Sequence, residues 1–212
     1  MIKKCEKKGV FEKDELSLRF QYYSVIEVGG AYAHHFFSFM DFLEIPTLIL
    51  TDIDFVDKNQ NKALRNNAYN TSNATIKQWC HDVLGIALSK KIELAQILSL
   101  TEEQKTTGLR HLEFQMEEKG AYPRSLEESI MNVNREYYNI DEKEENIDFS
   151  ILEEKKTDFA LDLILGQISD TYQIPSYIEH GLVWLSKQSK MPKQIQPKRM
   201  FKRKYKKKDD VQ

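Results

Sequence analysis

The chain has 212 residues, 41% of them hydrophobic, which is enough to bury one sizeable core, and no apolar run approaches the roughly 20 residues of a membrane helix. Its two cysteines, Cys5 and Cys80, lie far apart and outside any CxxC spacing, which excludes a disulfide framework and a cysteine zinc site. The net charge is -2, and because the first residues also lack a signal-peptide core, we expect a soluble cytoplasmic protein without a membrane partner.

The first quarter of the chain alternates between predicted strands and a helix. Residues 22–28 (YYSVIEV) read as a strand that Gly29 and Gly30 end, and residues 31–44 as an apolar helix that stops before Pro46. Residues 47–53 (TLILTDI) read as a second strand, and their uniformly apolar composition is typical of a buried parallel sheet. A strand, a helix and a strand within about 30 residues predict a βαβ unit.

The rest of the chain adds one strand and four helices. The strand is predicted at 109–115, and the helices at 72–85, 124–138, 156–169 and 174–187. Ser72 and Asn73 are candidate N-caps of the first of these helices, and Thr157 of the third. We divide the chain into a lead-in (1–20), an α/β domain (21–190) and a polar, basic tail (191–212) that we expect to be disordered.

Two aspartates end the second predicted strand. Side chains on a strand repeat every two residues, so Asp52 and Asp54 should leave it on the same side. Ligands of open α/β sheets bind at the carboxyl ends of the strands, and two carboxylates there repel each other unless a cation lies between them. Oxygen ligands select Mg²⁺ or Mn²⁺. The alternative is that Asp52 caps the strand and Asp54 starts a loop, as Asp57 does.

Four blocks of the sequence resemble one family. They are SVIEVGGAYAHHFFSFMDFLEIPTLILTDID, TSNATIKQW, PRSLEESIMNVN and KKTDFALDLI, which occur in this order between about residues 20 and 185. Together they resemble the Toprim domain of the overcoming lysogenization defect (OLD) family, the ATP-dependent endonucleases of bacterial and phage-defence systems. The resemblance implies an α/β, Rossmann-like Toprim fold with a mainly parallel central sheet, and metal-dependent hydrolysis of DNA phosphodiesters.

The resemblance also implies the site residues. Asp52, Asp54 and Glu127 would bind Mg²⁺ or Mn²⁺, as two ions in a complete site, and Lys156 would be the catalytic basic residue. Lys156 lies next to Thr157, the candidate N-cap of a predicted helix, where the helix dipole disfavours a cation, so it is suited to a phosphate or a leaving oxygen. A solvated lysine that offsets nearby glutamates is the alternative. Glu128 and Lys155 remain open as substitutes for their neighbours.

Two features of the family are missing from these 212 residues. No strand that ends in Glu-Gly precedes the first matched block, and there is no GxxxxGK[ST] motif. ATP would therefore act only through an ATPase domain outside this sequence, carried by a partner protein or an upstream half. A site without its first carboxylates should hold metal weakly, so we expect little activity from the chain alone. A homo-oligomer is also compatible with the sequence.

Two other functional readings stay open. The chain could be a catalytically silent Toprim remnant that binds DNA or assists assembly. It could also be a receiver-like phosphoacceptor domain, which has paired aspartates at a strand end, although the blocks after residue 70 have no place in such a domain.

The carboxyl-terminal tail is a second candidate DNA contact. The stretch PKRMFKRKYKKK carries eight Lys or Arg in twelve residues with two aromatic residues between them, which suits phosphate contacts and base stacking. The basic residues that we single out are Lys198, Arg199, Lys202, Arg203 and Lys204. A solvated terminus that only aids solubility is the alternative.

Overall fold

A mixed β-sheet forms the centre of the computed structural model, which describes residues 1–11, 18–29, 31–145, 147, 156–166 and 168–188. The strands are β1 (Thr47–Leu50), β2 (Phe55–Val56), β3 (Asn70–Thr71), β4 (Thr106–Thr107) and β5 (Arg110–Glu113). The central sheet has the order β1-β5-β4, in which β1 and β5 are parallel and β4 is antiparallel to β5. β2 and β3 form a separate antiparallel pair.

Seven α-helices of the described residues surround this sheet. They are α1 (Ile2–Lys7), α2 (Phe37–Leu43), α3 (Ala74–Leu84), α4 (Leu94–Leu98), α5 (Leu126–Val133), α6 (Lys156–Leu165) and α7 (Ser176–Gln188). Helices α2, α3 and α4 pack with β1 and β5 in the largest core, which includes Phe37, Trp79 and Phe114. α1 and α7 form a second core with the partly buried Leu48 of β1, and α5 and α6 share a third. The predicted α/β class is confirmed.

Most predicted helices are present, with small shifts at their ends. Asn73, not Ser72, caps α3, because its side chain accepts a hydrogen bond from the Ile76 amide. Gly85 ends this helix in the left-handed region at φ 63°, as its position in the sequence predicts. α6 begins at Lys156, so Thr157 lies inside its first turn and not at a cap.

The strand that the sequence predicts at residues 22–28 is wrong, and with it the predicted βαβ unit. This segment has no regular secondary structure, and its apolar side chains are exposed, Val25 by 82% and Ile26 by 79%. Strand propensity gives a strand only where a neighbouring strand supplies hydrogen bonds, and β1 pairs with β5 alone in the described part of the chain. β1 itself is shorter than predicted, because it ends at Leu50. It is also less buried than predicted, since Leu50 is 44% exposed.

Helix α7 crosses β1 and β5 closely. A Cβ atom at Gly181 would lie 2.8 Å from Cδ1 of Leu48, so a larger residue there would require the Leu48 side chain to move. The close approach carries Tyr177 to the carboxyl ends of the strands, where its hydroxyl accepts a hydrogen bond from Gln115. None of the described helices is both long and apolar enough to cross a membrane. The basic tail and Lys155 lie outside the described residues, so the predictions on them stay predictions.

Candidate active site

An open cleft of about 370 Å³ lies beyond the carboxyl ends of β1 and β5. The four residues that the sequence singles out all line it, namely Asp52, Asp54, Glu127 and Lys156. They come from three separate parts of the chain, which are the turn after β1, the first turn of α5 and the start of α6. The rest of the lining consists of Phe55, Val56, Gln60, Lys62, Ser72, Arg124, Ser125 and Glu128.

Asp52 and Asp54 reach this cleft from a turn and not from a strand. β1 ends two residues before Asp52, and Asp54 has a φ of 48°, in the left-handed region that aspartate and asparagine tolerate better than most residues. The predicted reason for their common direction, strand alternation, is therefore wrong. The two carboxylates still line the same cleft because the turn folds back between them.

Buried amide side chains hold this turn in place. Gln115 accepts a hydrogen bond from the Ile53 amide (2.8 Å) and donates one to the Asp52 carboxylate (2.7 Å). Asn73 donates to the Asp52 carbonyl (2.7 Å) and to the Thr51 hydroxyl (2.8 Å). Gln115 follows β5 by two residues, exactly as Asp52 follows β1, so the parallel register brings the two side chains together. The position of Asp52 is thus fixed before any ligand binds.

Both aspartates resist ionisation. Burial raises the pKa of Asp52 to about 6, with smaller upward contributions from Asp54 and Glu127, while the hydrogen bond from Gln115 and the charge of Lys156 act in the opposite direction. Burial also raises the pKa of Asp54 against the nearby charges of Lys156 and Lys62. The cleft therefore holds negative charge that the described protein groups compensate only in part.

Glu127 and Lys156 form an ion pair across the cleft. Lys156 Nζ lies 2.8 Å from Glu127 Oε1, with the Lys156 side chain 72% exposed and that of Glu127 12% exposed. Burial opposes ionisation of Glu127, but the hydrogen bond from Lys156 and those from its own backbone and Ser125 outweigh it and lower the pKa of Glu127. The hydrogen bond to Glu127 raises the pKa of Lys156. Lys156 is an exposed cation that interacts with three carboxylates, those of Glu127, Asp52 and Asp54.

The neighbouring Glu128 has a different role from Glu127. It is buried, with its carboxylate against the Arg124 guanidinium at 2.7 Å, and it also accepts a hydrogen bond from the Arg124 amide at 2.8 Å. A carboxylate so fully occupied is a poor metal ligand. The geometry therefore favours Glu127 as the open carboxylate of this helix turn.

The three candidate ligands do not converge on one point. Among the described residues, one group of three or more His, Cys, Asp or Glu has its ligand atoms within 4.8 Å of one another, and it consists of Glu102, His111 and Glu113. Lys105 already fills that group, with Nζ 3.0 Å from both Glu102 and Glu113. The carboxylates of the cleft are more widely spaced than a compact single-ion site requires.

Some residues of the site carry no clear signal in the sequence. Gln115 could have been found by applying the carboxyl-end rule to the strand at 109–115, because it is the polar residue nearest that end. Lys62 comes to the cleft through an isolated bridge with Val56, which no local pattern predicts. Arg124 lies just before α5, but its pairing with Glu128 becomes visible only in the fold.

The sequence is similar to known proteins in two comparisons. Residues 7–54 match the model of the overcoming lysogenization defect protein-like TOPRIM domain, a match that ends on Asp54. Endonuclease GajA of Bacillus cereus (strain HuB5-5) is 28% identical over 206 residues, which cover 82% of this chain and 28% of that protein. Residues 7–54 of this chain are thus similar to an OLD-like Toprim domain. No solved structure matches the chain.

The predicted Toprim fold and the resemblance to the OLD family are therefore confirmed. The OLD-like Toprim match takes in the segment at 22–28, β1 and both aspartates of the cleft. It favours the nuclease-related reading of the paired aspartates over a receiver-like phosphoacceptor. The chain spans 28% of the length of its curated relative, so what that whole protein does enters below only as a proposal.

Proposed function

We propose that this OLD-like Toprim domain is the nuclease segment of a metal-dependent DNA endonuclease that hydrolyses phosphodiesters. The observation that carries the proposal is that Asp52, Asp54, Glu127 and Lys156 all line one open cleft. The similarity to a protein named an endonuclease supports the reaction class. The two unpaired cysteines, both buried, are consistent with action in the cytoplasm.

The donor set of the cleft fits a hard divalent cation. Asp52, Asp54 and Glu127 offer carboxylate oxygens alone, which is the ligand chemistry that Mg²⁺ and Mn²⁺ prefer. The raised pKa of Asp52 shows a carboxylate that is short of positive charge, and a cation would supply it. When bound, such ions act as Lewis acids on the phosphate and increase the acidity of a bound water. The wide spacing of the three carboxylates suits two ions better than one.

The chain's own residues would then divide the remaining tasks. Gln115 and Asn73 hold the turn that presents Asp52, so the carboxylate needs little rearrangement during the reaction. Lys156 is exposed enough to leave Glu127 for a phosphate oxygen, where it would stabilise negative charge on the leaving oxygen. Release of Lys156 would free Glu127 to act as a ligand. When substrate enters, Lys156 would thus exchange Glu127 for a phosphate oxygen, and Glu127 would exchange Lys156 for a metal ion.

An unpaired sheet edge supports completion by further polypeptide. The amides of Thr47 and Thr51 donate to the β5 side, so those of Leu48 and Leu50 point away from β5, and no strand of the described residues pairs with that edge. The exposed apolar segment at 22–28 also lacks a strand partner. We propose that a strand from an ATPase-bearing partner or upstream half pairs with this edge and brings the missing acidic residues, with ATP acting only through that part.

Reconstitution tests the proposal. The chain alone should cut duplex DNA weakly in Mg²⁺ or Mn²⁺, and addition of the partner or of an upstream half with a GxxxxGK[ST] motif should restore cleavage. Asp52→Ala should then abolish cleavage and Lys156→Ala should lower its rate by about 10²–10³-fold, in the range reported for loss of one transition-state donor. Lys155→Ala is the matched control and should have little effect. Equal loss in both lysine variants would contradict the assignment of Lys156.

A silent DNA-binding or assembly module is the second candidate. The ion pair between Lys156 and Glu127 favours it, because both groups satisfy each other without metal or substrate. Absence of cleavage under every reconstitution condition, with DNA binding retained, would support this candidate. The basic residues of the tail, from Lys198 to Lys204, are proposed DNA contacts under either function.

A further inference from the structure

A second, basic cleft opens next to the candidate active site. Its volume is about 180 Å³, and Lys77, His81, Lys90 and Lys91 line it. Gln60 lines both this cleft and the acidic one, so the two are neighbours on the surface. Nothing in the proposed hydrolysis uses these basic residues.

The positive charge of this cleft is not balanced locally. Between residues 58 and 91 the sequence has six Lys or Arg and a single acidic residue, in a chain whose net charge is -2. Among the described residues, Lys77, Lys90 and Lys91 form no ion pair with a carboxylate. Burial and the charge of Lys91 lower the pKa of Lys77. An anion in the cleft would relieve this repulsion.

An exposed aromatic ring organises the lysines at the edge of the cleft. Tyr69 is 43% exposed, with Lys91 Nζ 3.9 Å and Lys58 Nζ 5.9 Å from its ring centre. Cation–π contacts of this kind restrain long side chains while leaving the ammonium groups open to solvent. A basic surface with an exposed ring is the arrangement that nucleic-acid backbones and bases contact.

Two other polar side chains of the cleft already have hydrogen-bond partners, which argues for a chain of phosphates over a small anion. The Asn70 amide donates to the carbonyl of Ile92 (2.8 Å), and Nδ1 of His81 lies 3.0 Å from the carbonyl of Ile86. The cleft therefore offers mainly ammonium groups, which act as point charges and not as a shaped cradle. Such groups suit successive phosphates that the backbone of DNA already holds at fixed spacing.

We propose that the cleft of Lys77, Lys90 and Lys91 binds backbone phosphates of the DNA that flanks the bond in the acidic cleft. The inference rests on the proposed function for its choice of DNA. The duplex would pass over Gln60, with the scissile phosphate at Asp52 and Asp54 and the flank at the lysines. These contacts position the substrate without reading its sequence.

The test compares two triple variants of the full chain with equal net charge. One changes Lys77, Lys90 and Lys91 to Gln, and the control changes Lys3, Lys7 and Lys143, which line neither cleft. Binding to a fluorescent duplex is measured by anisotropy over a range of KCl concentrations, without divalent ions. We expect the first variant to lower the slope of log K against log salt by about 2–3 and the control to change it little, since each neutralised phosphate contributes about 0.9.

A third variant separates charge from folding. Arg at all three positions keeps the charge and should keep the native slope, and the melting temperatures of all variants should agree. An equal slope for the two Gln variants would overturn the inference. The inference would also be overturned if inorganic phosphate bound tightly through these lysines while the salt slope of DNA binding did not depend on them. The cleft would then be a small-anion site.

The outcome is independent of catalysis because binding is measured without divalent ions. A reduced slope in the Gln variant together with no cleavage in any reconstitution would leave the DNA contact standing and remove the nuclease proposal. Cleavage by the reconstituted protein together with an unchanged slope in the Gln variant would leave the nuclease proposal standing and remove the DNA contact.

Discussion

Two clusters of acidic side chains in this protein differ in how their charge is compensated. At β5, Glu113 is fully buried and its carboxylate contacts Lys105 (3.0 Å) and His111 (3.1 Å). In the cleft, Asp52 and Asp54 are half-buried, and Lys156 pairs with Glu127 instead of with either of them. The tighter cluster has the closer spacing of ligand atoms, but it already contains its cation.

The difference shows that proximity alone does not indicate a metal site. A group of ligand atoms is available to a metal when the protein has left its charge unsatisfied and open to solvent. Burial without a full complement of cations raises the pKa of Asp52 to about 6, whereas Glu113 raises the pKa of Lys105 despite the burial of that amine. The buried cluster therefore stabilises the fold, and the cleft is suited to bind ligands.

The largest expected effect is at the buried cluster. Glu113→Gln should lower the free energy of unfolding by about 3–5 kcal/mol, because it leaves the Lys105 ammonium buried with only the exposed Glu102 as a partner. Urea unfolding at neutral pH measures the change. Glu102→Gln is the control and should cost less than about 1 kcal/mol, since its side chain is 68% exposed. Similar losses in both variants would remove the distinction between the clusters.

A substitution in the cleft should have the opposite sign. The native state takes up a proton at Asp52 near pH 6 and the unfolded chain only near pH 4, so stability falls as the pH rises between these values. Asp52→Asn, which can still accept the Gln115 hydrogen bond, should therefore stabilise the fold by about 1–3 kcal/mol at pH 8 and hardly at all at pH 4. Asp170→Asn, at an exposed position, should give no such trend. A constant or negative effect of Asp52→Asn would contradict the inferred burial of charge.

A divalent metal ion should stabilise the folded protein only by binding in the cleft of Asp52 and Asp54. At a concentration ten times the dissociation constant, Mn²⁺ should add about 1.4 kcal/mol to the native protein. Asp52→Ala combined with Asp54→Ala should abolish this gain, whereas Glu102→Gln should keep it. The gain should also shrink below pH 6, where Asp52 is protonated. Thermal melts measure the gain in stability, and Mn²⁺ electron paramagnetic resonance measures the binding itself. Equal binding by native and double-variant protein would exclude these aspartates as ligands.

The smallest expected effect on stability is at Lys156. The Lys156 side chain is 72% exposed, so Lys156→Gln should change the free energy of unfolding by less than about 1 kcal/mol. Its larger consequence should be on the cleavage rate of the reconstituted protein. A loss of several kcal/mol on chemical denaturation would show that Lys156 has a structural role like that of Lys105.

The sequence predicts the elements of this fold better than their pairing. The caps of α3 at Asn73 and Gly85 follow from local chemistry, and so they could be read directly. The segment at 22–28 has the composition of a strand but no strand beside it, and sequence patterns do not say which neighbours are present.

The same limit applies to the site. The paired aspartates and Glu127 could be named from a resemblance, since their residue types carry the chemistry. Gln115 and Lys62 reach the cleft through strand register and an isolated bridge, which are long-range features. The basic cleft of Lys77, Lys90 and Lys91 joins α3 to the loop that follows it, and no single motif contains these lysines.

The unpaired edge of β1 has a further consequence for the life of the chain in a cell. An unpaired strand edge in a chain that also has exposed apolar side chains, such as those of Val25 and Ile26, is a template on which identical chains can add to one another and aggregate. A chain that waits uncovered is therefore exposed to chaperones, proteases and self-association. Its lifetime, and with it the amount of this chain in the cell, would be set by how quickly that edge is covered after synthesis.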